Sequence, residues 1–319
     1  TGGLLVFGVP PLLAVGTGLT LIMGSSIINT LKHGKEGNVD FRLGALMVVG
    51  TIPAVVLAER VNSQFEAWGV AGPVIRYVYV VFLATLVSFI LYDYWKTRRR
   101  AGTQEDQVST ASRARSVQSL KIPPHSIGIP GLVSLPTYVS LPTSNIQGIS
   151  IWVPIGVGFG VGFMAGLLGA GGGFILMPIL IFVLGIPTVV AVGTDLFQVV
   201  ITGSVGTLIY SLSNNVDLLM AVIMLATASI GSQLGVVATR YVEASSIRSL
   251  YGVTVLGGCV AVALKQVSES SGTEFFATLA SILLLGVAGL ICVIIATMMM
   301  IKARNRETTP THASGDDTG

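Results

Sequence analysis

The sequence is poor in charged residues and in side chains that bind metals. Only 10% of its 319 residues are charged, whereas about a quarter are charged in an ordinary soluble domain. So few charges cannot cover the surface of a soluble globule, but they suit a surface that faces lipid. The two cysteines and three histidines lie without the spacing of a metal site, so we predict no metal, no cofactor and no disulfide.

Signatures of common enzymes are missing as well. No GxxxxGK[ST] sequence is present, which argues against ATP hydrolysis by this chain. A relaxed GxGxxA pattern at 160–165 lies in an uncharged apolar run and lacks the strand and the acid of a dinucleotide site. All three histidines fall in predicted loops or the tail, which argues against a Ser-His-Asp triad. We therefore predict that the protein is not an enzyme.

Apolar and small residues dominate instead. Hydrophobic residues make up 52% of the sequence, and there are 39 glycines, a mixture expected of closely packed membrane helices. We predict an all-α membrane protein, a polytopic helix bundle of about 8–10 segments. The predicted apolar segments are residues 4–14, 17–31, 43–58, 77–95, 151–168, 174–184, 194–212, 218–238, 249–264 and 275–301.

Loop charges indicate the topology. The run from 151 to 184 has no charged residue and is interrupted by glycines, so we interpret it as a hairpin or re-entrant pair. If it crosses twice, 15 of the 18 lysines and arginines fall on one side; if it crosses once, the split is 11 to 7. The positive-inside rule favours two crossings. The linker at 96–150 and the C-terminus are then cytoplasmic in a multi-pass protein of the cytoplasmic membrane.

Two parts of the sequence are similar to each other. Residues 8–40 align without a gap with residues 185–217 and share 12 identities in 33 positions. The charged turn at 32–42 is assigned to the inside, whereas its copy at 211–217 has no lysine or arginine and is assigned to the outside. Similar halves of opposite orientation are typical of the inverted repeats of secondary transporters.

These features divide the sequence into four parts. We predict a first transmembrane repeat at 1–95, a mostly irregular proline-rich cytoplasmic linker at 96–150, a second transmembrane repeat at 151–301 and a disordered cytoplasmic tail at 302–319. By the offset of the repeat, Thr1 aligns with Pro178, so the first half has no counterpart of residues 151–177. We expect either an N-terminally truncated chain or a degenerate first repeat.

A glycine-rich stretch at 162–178 is the most distinctive part of the sequence. Its three adjacent glycines lack side chains, so the backbone can unwind there and turn N–H groups towards a cavity. A helix beginning at Phe174 would favour an anion at its positive end. The patterns Gly162xxxGly166 and Gly231xxxGly235 are more typical of helix packing. The glycines predicted to bind a substrate anion in this broken helix are Gly171, Gly172 and Gly173.

This stretch, followed by Gly185-Ile186-Pro187 and by Gly193-Thr194-Asp195, resembles the sulfite exporter TauE/SafE family. The glycine-rich hairpin, its proline and the Gly-Thr at the head of the next helix match the family's pattern. The resemblance extends over both halves, apart from the linker and the tail. It implies a prokaryotic membrane permease for sulfite, organosulfonates or related oxyanions, similar to 4-toluene sulfonate uptake permeases. No complete glycine hairpin is present in the first half.

Asp195 is the only acidic residue well inside the predicted spans, and an intramembrane carboxylate is a candidate for function. A carboxylate repels an anionic substrate. We therefore hypothesise that Asp195 binds a coupling proton or cation and is neutral or paired when the anion is present. The alternative, weighted equally, is that Asp195 caps the start of the helix at 194–212.

Hydroxyl and amide side chains are further candidates for the oxyanion site, because they solvate an anion without the grip of a buried arginine. Thr194, Gln198 and Thr202 are spaced four apart on one helical face. Thr17 and Thr20 are related hydroxyls in the first half. Hydrogen bonding between helices is the alternative for each of these five residues. Capping is favoured at the turns before helices, at Asn38, Asp40, Asn215 and Asp217.

The sequence thus predicts a secondary transporter that moves a small oxyanion, such as sulfite or an organosulfonate, across the cytoplasmic membrane. Export is favoured by analogy with the family. A passive anion channel of the same architecture and a membrane accessory subunit of a sulfur-metabolism system are the alternatives. The expected partners are the lipid bilayer and a small inorganic or organic anion. No nucleic acid is expected, and a homo-oligomer is left open.

Overall fold

A computed structural model of the protein describes residues 1–99, 126–129, 133–136, 138–144, 146–238 and 244–307. Within these ranges it has ten α-helices, two β-hairpins and one π-helical turn. The helices are α1 (Gly2–Val6), α2 (Pro11–Lys35), α3 (Phe41–Ala67), α4 (Ala71–Arg99), α5 (Trp152–Leu168), α6 (Gly173–Pro178), α7 (Thr188–Leu212), α8 (Leu218–Ala238), α9 (Ala244–Ser271) and α10 (Glu274–Glu307). The strands are β1 (Ser126–Ile129), β2 (Val133–Pro136), β3 (Tyr138–Leu141) and β4 (Ile146–Ser150), and the π-helical turn is Ile179–Val183.

Several of these helices suit a bilayer. In the described part of the chain, five are long and apolar enough to cross a membrane: α2, α3, α7, and the parts Ala71–Ser88 of α4 and Glu274–Met298 of α10. Their outer faces carry large exposed apolar side chains such as Ile28, Leu212 and Leu285. Because helices satisfy their own backbone hydrogen bonds, they can present such faces to lipid. The predicted all-α membrane bundle is confirmed.

The similar halves of the sequence fold alike. α2 and α7 begin and end at equivalent positions of the repeat, and α3 and α8 also begin at equivalent positions. The turns before and after α2 match those around α7: Gly8 and Gly185 have φ angles of 82° and 72°, and Gly37 and Asn214 have φ angles of 73° and 57°. The sequence repeat is therefore a repeat of backbone structure.

α2 and α7 pack against each other, and the hydrogen bonds between their ends show that they run in opposite directions. The backbone N–H of Asp40, in the turn after α2, donates to Thr194 Oγ1 in α7 over 3.0 Å. Reciprocally, the N–H of Asp217, in the turn after α7, donates to Thr17 Oγ1 in α2 over 3.0 Å. Each helix therefore holds the turn that follows the other, as two inverted repeats require.

Two equivalent glycines allow this close approach. A Cβ on Gly16 would overlap the carbonyl oxygen of Asn215, and a Cβ on Gly193 would overlap that of Asn38. The sequence interpretation placed helix boundaries near both glycines, at 14–17 and 184–194. That interpretation is wrong, because both glycines lie inside continuous helices and serve contact with the other repeat.

α3 lies between α5 and α7. A Cβ on Gly162 of α5 would lie 2.9 Å from Thr51, and a Cβ on Gly166 would lie 2.8 Å from Ala58. These contacts support the packing role predicted for the two α5 glycines. A Cβ on Gly231 in α8 would have no atom within 4 Å, so the described residues provide no packing partner for that glycine.

The linker is more ordered than the sequence indicates, where it is described. α4 continues to Arg99, and the two antiparallel hairpins β1–β2 and β3–β4 occupy part of 126–150. The second hairpin buries Leu141, Ile146 and Ile149 in a cluster with Leu43 and Leu176. Isolated two-stranded hairpins are marginal in water, so this burial against the helices explains the order. Residues 100–125, nearly half of the predicted linker, lie outside the described residues, as does the tail from 308 onward.

An ion pair joins α4 to α9. Arg76 is buried, its Nε donates to Gln266 Oε1 over 2.8 Å, and its Nη2 contacts Glu269. Lys265 lies 3.9 Å from the same carboxylate. A buried guanidinium needs such partners to offset its desolvation. Arg76 therefore has a structural explanation and is not available to an anion.

Candidate functional site

The glycine-rich stretch forms a break between two helices. Gly169 ends α5 with a φ of 66°, Gly171 and Gly172 follow with φ of 72° and 78°, and α6 begins at Gly173. L-residues with a side chain reach this left-handed region only at a cost of about 1–2 kcal/mol each. The predicted broken helix is therefore present, and glycine explains it.

The break leaves hydrogen-bond donors unpaired. Among the described residues, no backbone carbonyl accepts from the N–H groups of Gly171, Gly172 or Gly173. Successive backbone N–H groups in such a turn form a concave surface that suits an anion. The surroundings are apolar, since a Cβ on Gly171 would meet Ile22 of α2 and Val199 of α7. The break thus offers donors in a place flanked by α2 and α7.

Asp195 lies beside these donors. A Cβ on Gly173 would be 2.9 Å from Asp195 Oδ2 and 3.4 Å from Oδ1. Asp195 is 9% exposed, and its Oδ1 atom has no hydrogen-bond partner among the described residues. A buried carboxylate oxygen without a donor is costly unless a proton or a cation satisfies it. The site therefore combines unpaired donors with an unpaired acidic acceptor.

The capping alternative for Asp195 is wrong. α7 begins at Thr188, so Asp195 lies in the third turn of a helix, and Pro187 occupies the N-cap position. A side chain that deep in a helix cannot reach the free N–H groups of the first turn. The sequence interpretation started the helix six residues too late because Gly193 resembled a break.

Gln198 extends the site along the face of α7. Its Nε2 atom donates to Thr51 Oγ1 of α3, and its Oε1 atom has no partner among the described residues. Thr51 Oγ1 also lies 3.0 Å from the carbonyl oxygens of Met47 and Gly158. Thr202, one turn further along, donates to the Gln198 carbonyl over 2.9 Å. Asp195, Gln198 and Thr202 therefore share one buried face, as the spacing of Gln198 and Thr202 predicts.

The other predicted hydroxyls have structural partners. Thr194 and Thr17 accept the N–H groups of Asp40 and Asp217 described above. Thr20 Oγ1 donates to the Gly16 carbonyl over 3.0 Å and lies 3.2 Å from Thr207 Oγ1. These contacts support the interhelical alternative for the three threonines, and their contact with a substrate stays a prediction.

The capping prediction holds for both aspartates of the repeat. Asp40 Oδ1 accepts from the N–H groups of Arg42 and Leu43, and Asp217 Oδ1 accepts from the N–H group of Met220. Asp40 Oδ2 also accepts from Ser144 Oγ in the β3–β4 hairpin over 2.6 Å. The hairpin is therefore hydrogen-bonded to Asp40, whose backbone N–H donates to Thr194, the residue that precedes Asp195.

Sequence reasoning missed the buried carboxylate of Glu59. Glu59 is 8% exposed in α3, and Asn62 and Tyr210 beside it are fully buried. The predicted span ended at residue 58, so Glu59 was assigned to a loop, whereas α3 continues to Ala67. Five of the six residues from 59 to 64 are polar, which is typical of a loop, and only the spacing of Glu59 and Asn62 on one helical face indicates a helix.

Comparison with known proteins agrees with this architecture. The sequence model of the family described as "Sulfite exporter TauE/SafE" matches residues 1–264. The "Probable membrane transporter protein YunE" of Bacillus subtilis (strain 168) is 24% identical over 252 residues, which cover 79% of this chain and 81% of that protein. A "Probable membrane transporter protein" of Xylella fastidiosa (strain 9a5c) is 32% identical over 103 residues, 32% of this chain and 40% of that protein. No solved structure matches significantly.

The matched region contains the two similar stretches 8–40 and 185–217, the glycine break and Asp195. The family match agrees with the resemblance that the glycine hairpin and the repeat indicate from the sequence alone. The chain belongs to the sulfite exporter TauE/SafE family of membrane transporters.

Proposed function

We propose that this membrane transporter is a secondary transporter of a small oxyanion, such as sulfite or an organosulfonate, in the direction of export. The observation that carries the proposal is the position of the Asp195 carboxylate beside the unpaired N–H groups of the glycine break. Backbone donors suit an oxyanion, and the adjacent acid suits a coupling ion. The family's name supports the substrate class.

Electrostatic interaction at this site couples binding of the oxyanion to binding of a proton or cation at Asp195. An oxyanion at the N–H groups of Gly171–Gly173 would lie within a few ångströms of Asp195, where two like charges repel strongly in a weakly polar environment. Anion binding therefore favours the form of Asp195 that carries a proton or a cation, and by reciprocity the bound proton or cation favours the anion. This coupling makes Asp195 the proposed coupling-ion site, with Gln198 and Thr202 on the adjoining face as substrate contacts.

The proposed orientation follows the loop charges. With the linker and the C-terminus in the cytoplasm, 15 of the 18 lysines and arginines lie on the cytoplasmic side. The end of the bundle that holds Asp40 and the β3–β4 hairpin is then the cytoplasmic end. A cysteine introduced at Ser109, in a background without Cys259 and Cys292, checks this orientation: an impermeant maleimide should label it in inverted vesicles and not in intact cells.

Flux measurement in proteoliposomes tests the transport proposal. Vesicles with the purified chain should move sulfite or an organosulfonate faster under a pH or cation gradient than without one. Chloride loaded at the same concentration serves as the control anion. Flux that ignores every gradient would indicate the passive channel instead, and no flux of any oxyanion tested would contradict the proposed substrate class.

A further inference from the structure

A second polar cluster lies at the opposite end of α3 from Asp40. Glu59 Oε1 accepts hydrogen bonds from Ser63 Oγ over 2.9 Å and from Ser213 Oγ over 2.8 Å. Within the described part of the chain, no lysine or arginine pairs with this carboxylate. Two neutral hydroxyls compensate a buried negative charge only partly, so the site lacks a positive partner.

Asn62, one turn after Glu59 in α3, also has an oxygen atom that lacks a partner. Its Nδ2 atom donates to the Leu167 carbonyl over 3.1 Å and to Tyr210 Oη over 2.7 Å. Because a carbonyl oxygen can only accept, this contact fixes the orientation of the amide. Asn62 Oδ1 is buried and has no partner among the described residues. An amide oxygen in that state requires a donor or a cation.

Helix ends add negative potential to this place. Tyr210 Oη donates to the Gly166 carbonyl over 3.0 Å, so the last carbonyls of α5 face the cluster. Ser213 is the C-cap of α7, and its Oγ donates to Glu59. Each helix C-terminus carries a partial negative charge of about half an elementary charge. The ends of α5 and α7 and a carboxylate therefore converge without a cation among the described residues.

We infer that the cluster of Glu59, Asn62, Ser63 and Ser213 binds a monovalent cation, specifically Na⁺. Carboxylate, amide and hydroxyl oxygens are the ligands that hard cations prefer, and helix C-terminal ends coordinate Na⁺ in other membrane transporters. A single formal negative charge matches one monovalent ion. Binding at this cluster requires neither the oxyanion nor Asp195, so it stands apart from the proposed transport reaction.

Thermal unfolding of the purified full chain in detergent tests this inference. A ligand that binds only the folded state raises the melting temperature, so the melting temperature should be higher in NaCl than in choline chloride of equal ionic strength. We expect a difference of about 3 °C or more. Glu59→Gln removes the charge and keeps the shape, and it should abolish the difference. Glu66→Gln, the same change at an exposed position of α3, should preserve it.

Ser213→Ala provides a second variant if Glu59→Gln does not fold. It removes one oxygen ligand without changing the charge, and it should raise the Na⁺ concentration needed for half of the shift several-fold. Equal melting temperatures of the wild type in both salts would overturn the inference and leave buried water as the partner of Asn62. A shift that survives intact in Glu59→Gln, or in Ser213→Ala where Glu59→Gln does not fold, would equally overturn it.

Discussion

Gly173 lies next to the carboxylate of Asp195. A Cβ there would lie 2.9 Å from Oδ2, and the φ angle of Gly173 is not in the left-handed region, unlike those of Gly171 and Gly172. Gly173→Ala therefore disturbs the carboxylate more than the backbone. We expect it to slow gradient-driven oxyanion flux about tenfold or more, which corresponds to about 1.4 kcal/mol, with the melting temperature nearly unchanged.

Gly160→Ala is the matched control for this variant. Gly160 lies in α5 of the same hairpin, and a Cβ there would have no atom within 4 Å. Alanine favours the helix over glycine, so flux should stay at the wild-type value. If both variants slowed flux equally, the contact between Gly173 and Asp195 would not explain the effect.

Individual residues of the candidate site could be predicted where the residue type is unusual for its place in the sequence. Three glycines in a row and one acid within apolar sequence identified the break and Asp195. The roles of Thr17 and Thr194 could not be predicted, because a buried hydroxyl can bind a substrate or accept from a backbone N–H, and only the three-dimensional structure shows which partner is present. Thr51 could not be found, since its role depends on Gln198, 147 residues away.

At the scale of elements, each of the helices α2 and α7 has a threonine that accepts a hydrogen bond from the turn after the other helix. Thr17→Val or Thr194→Val leaves the backbone N–H of Asp217 or Asp40 without its acceptor. An unpaired buried N–H costs about 1–3 kcal/mol, so both variants should lower the free energy of unfolding, and Thr194→Val should lower it more because Asp40 is buried and Asp217 only partly buried. Chemical or thermal unfolding in detergent measures this loss.

Thr85→Val is the control for the two threonine variants. Thr85 is exposed on α4, and its Oγ1 donates only within its own helix, to the Val81 carbonyl over 2.8 Å. Its replacement should change stability little. A variant of Thr17 or Thr194 as stable as Thr85→Val would show that the reciprocal contact does not hold the repeats together.

Helix ends were the least predictable feature of the elements. Gly16 and Gly193 resemble helix breaks in the sequence, although each lies within a helix and allows close contact with the other repeat. The sequence alone does not distinguish a glycine that allows close packing from a glycine that ends a helix. The β3–β4 hairpin was likewise hidden by proline-rich sequence. Its order depends on burial of Leu141, Ile146 and Ile149 against distant helices, which local sequence does not encode.

At the scale of the whole molecule, the two candidate sites, at Asp195 and at Glu59, lie in different parts of the helix bundle. Asp195 lies beside the glycine break, whose N–H groups donate to no carbonyl of the described residues, whereas Glu59 lies further along α3 and accepts from Ser63 and from Ser213 at the end of α7. The inverted repeat explains the shared frame, but the two carboxylates have no repeat counterparts, since Asp195 aligns with Gly18 and Glu59 with Val236. The two proposed cation sites therefore lie in different repeats and at positions that are not equivalent.

The measurement that tests the central claim is gradient-driven sulfite and sulfonate flux in proteoliposomes with the wild type, Asp195→Asn and Asp217→Asn. Both variants replace one carboxylate by an amide, but Asp217 caps α8, and asparagine caps a helix equally well. We predict that Asp195→Asn abolishes the acceleration by a pH gradient, while Asp217→Asn keeps it. Gradient-driven flux that persists unchanged in Asp195→Asn would contradict the role of Asp195 as the coupling site.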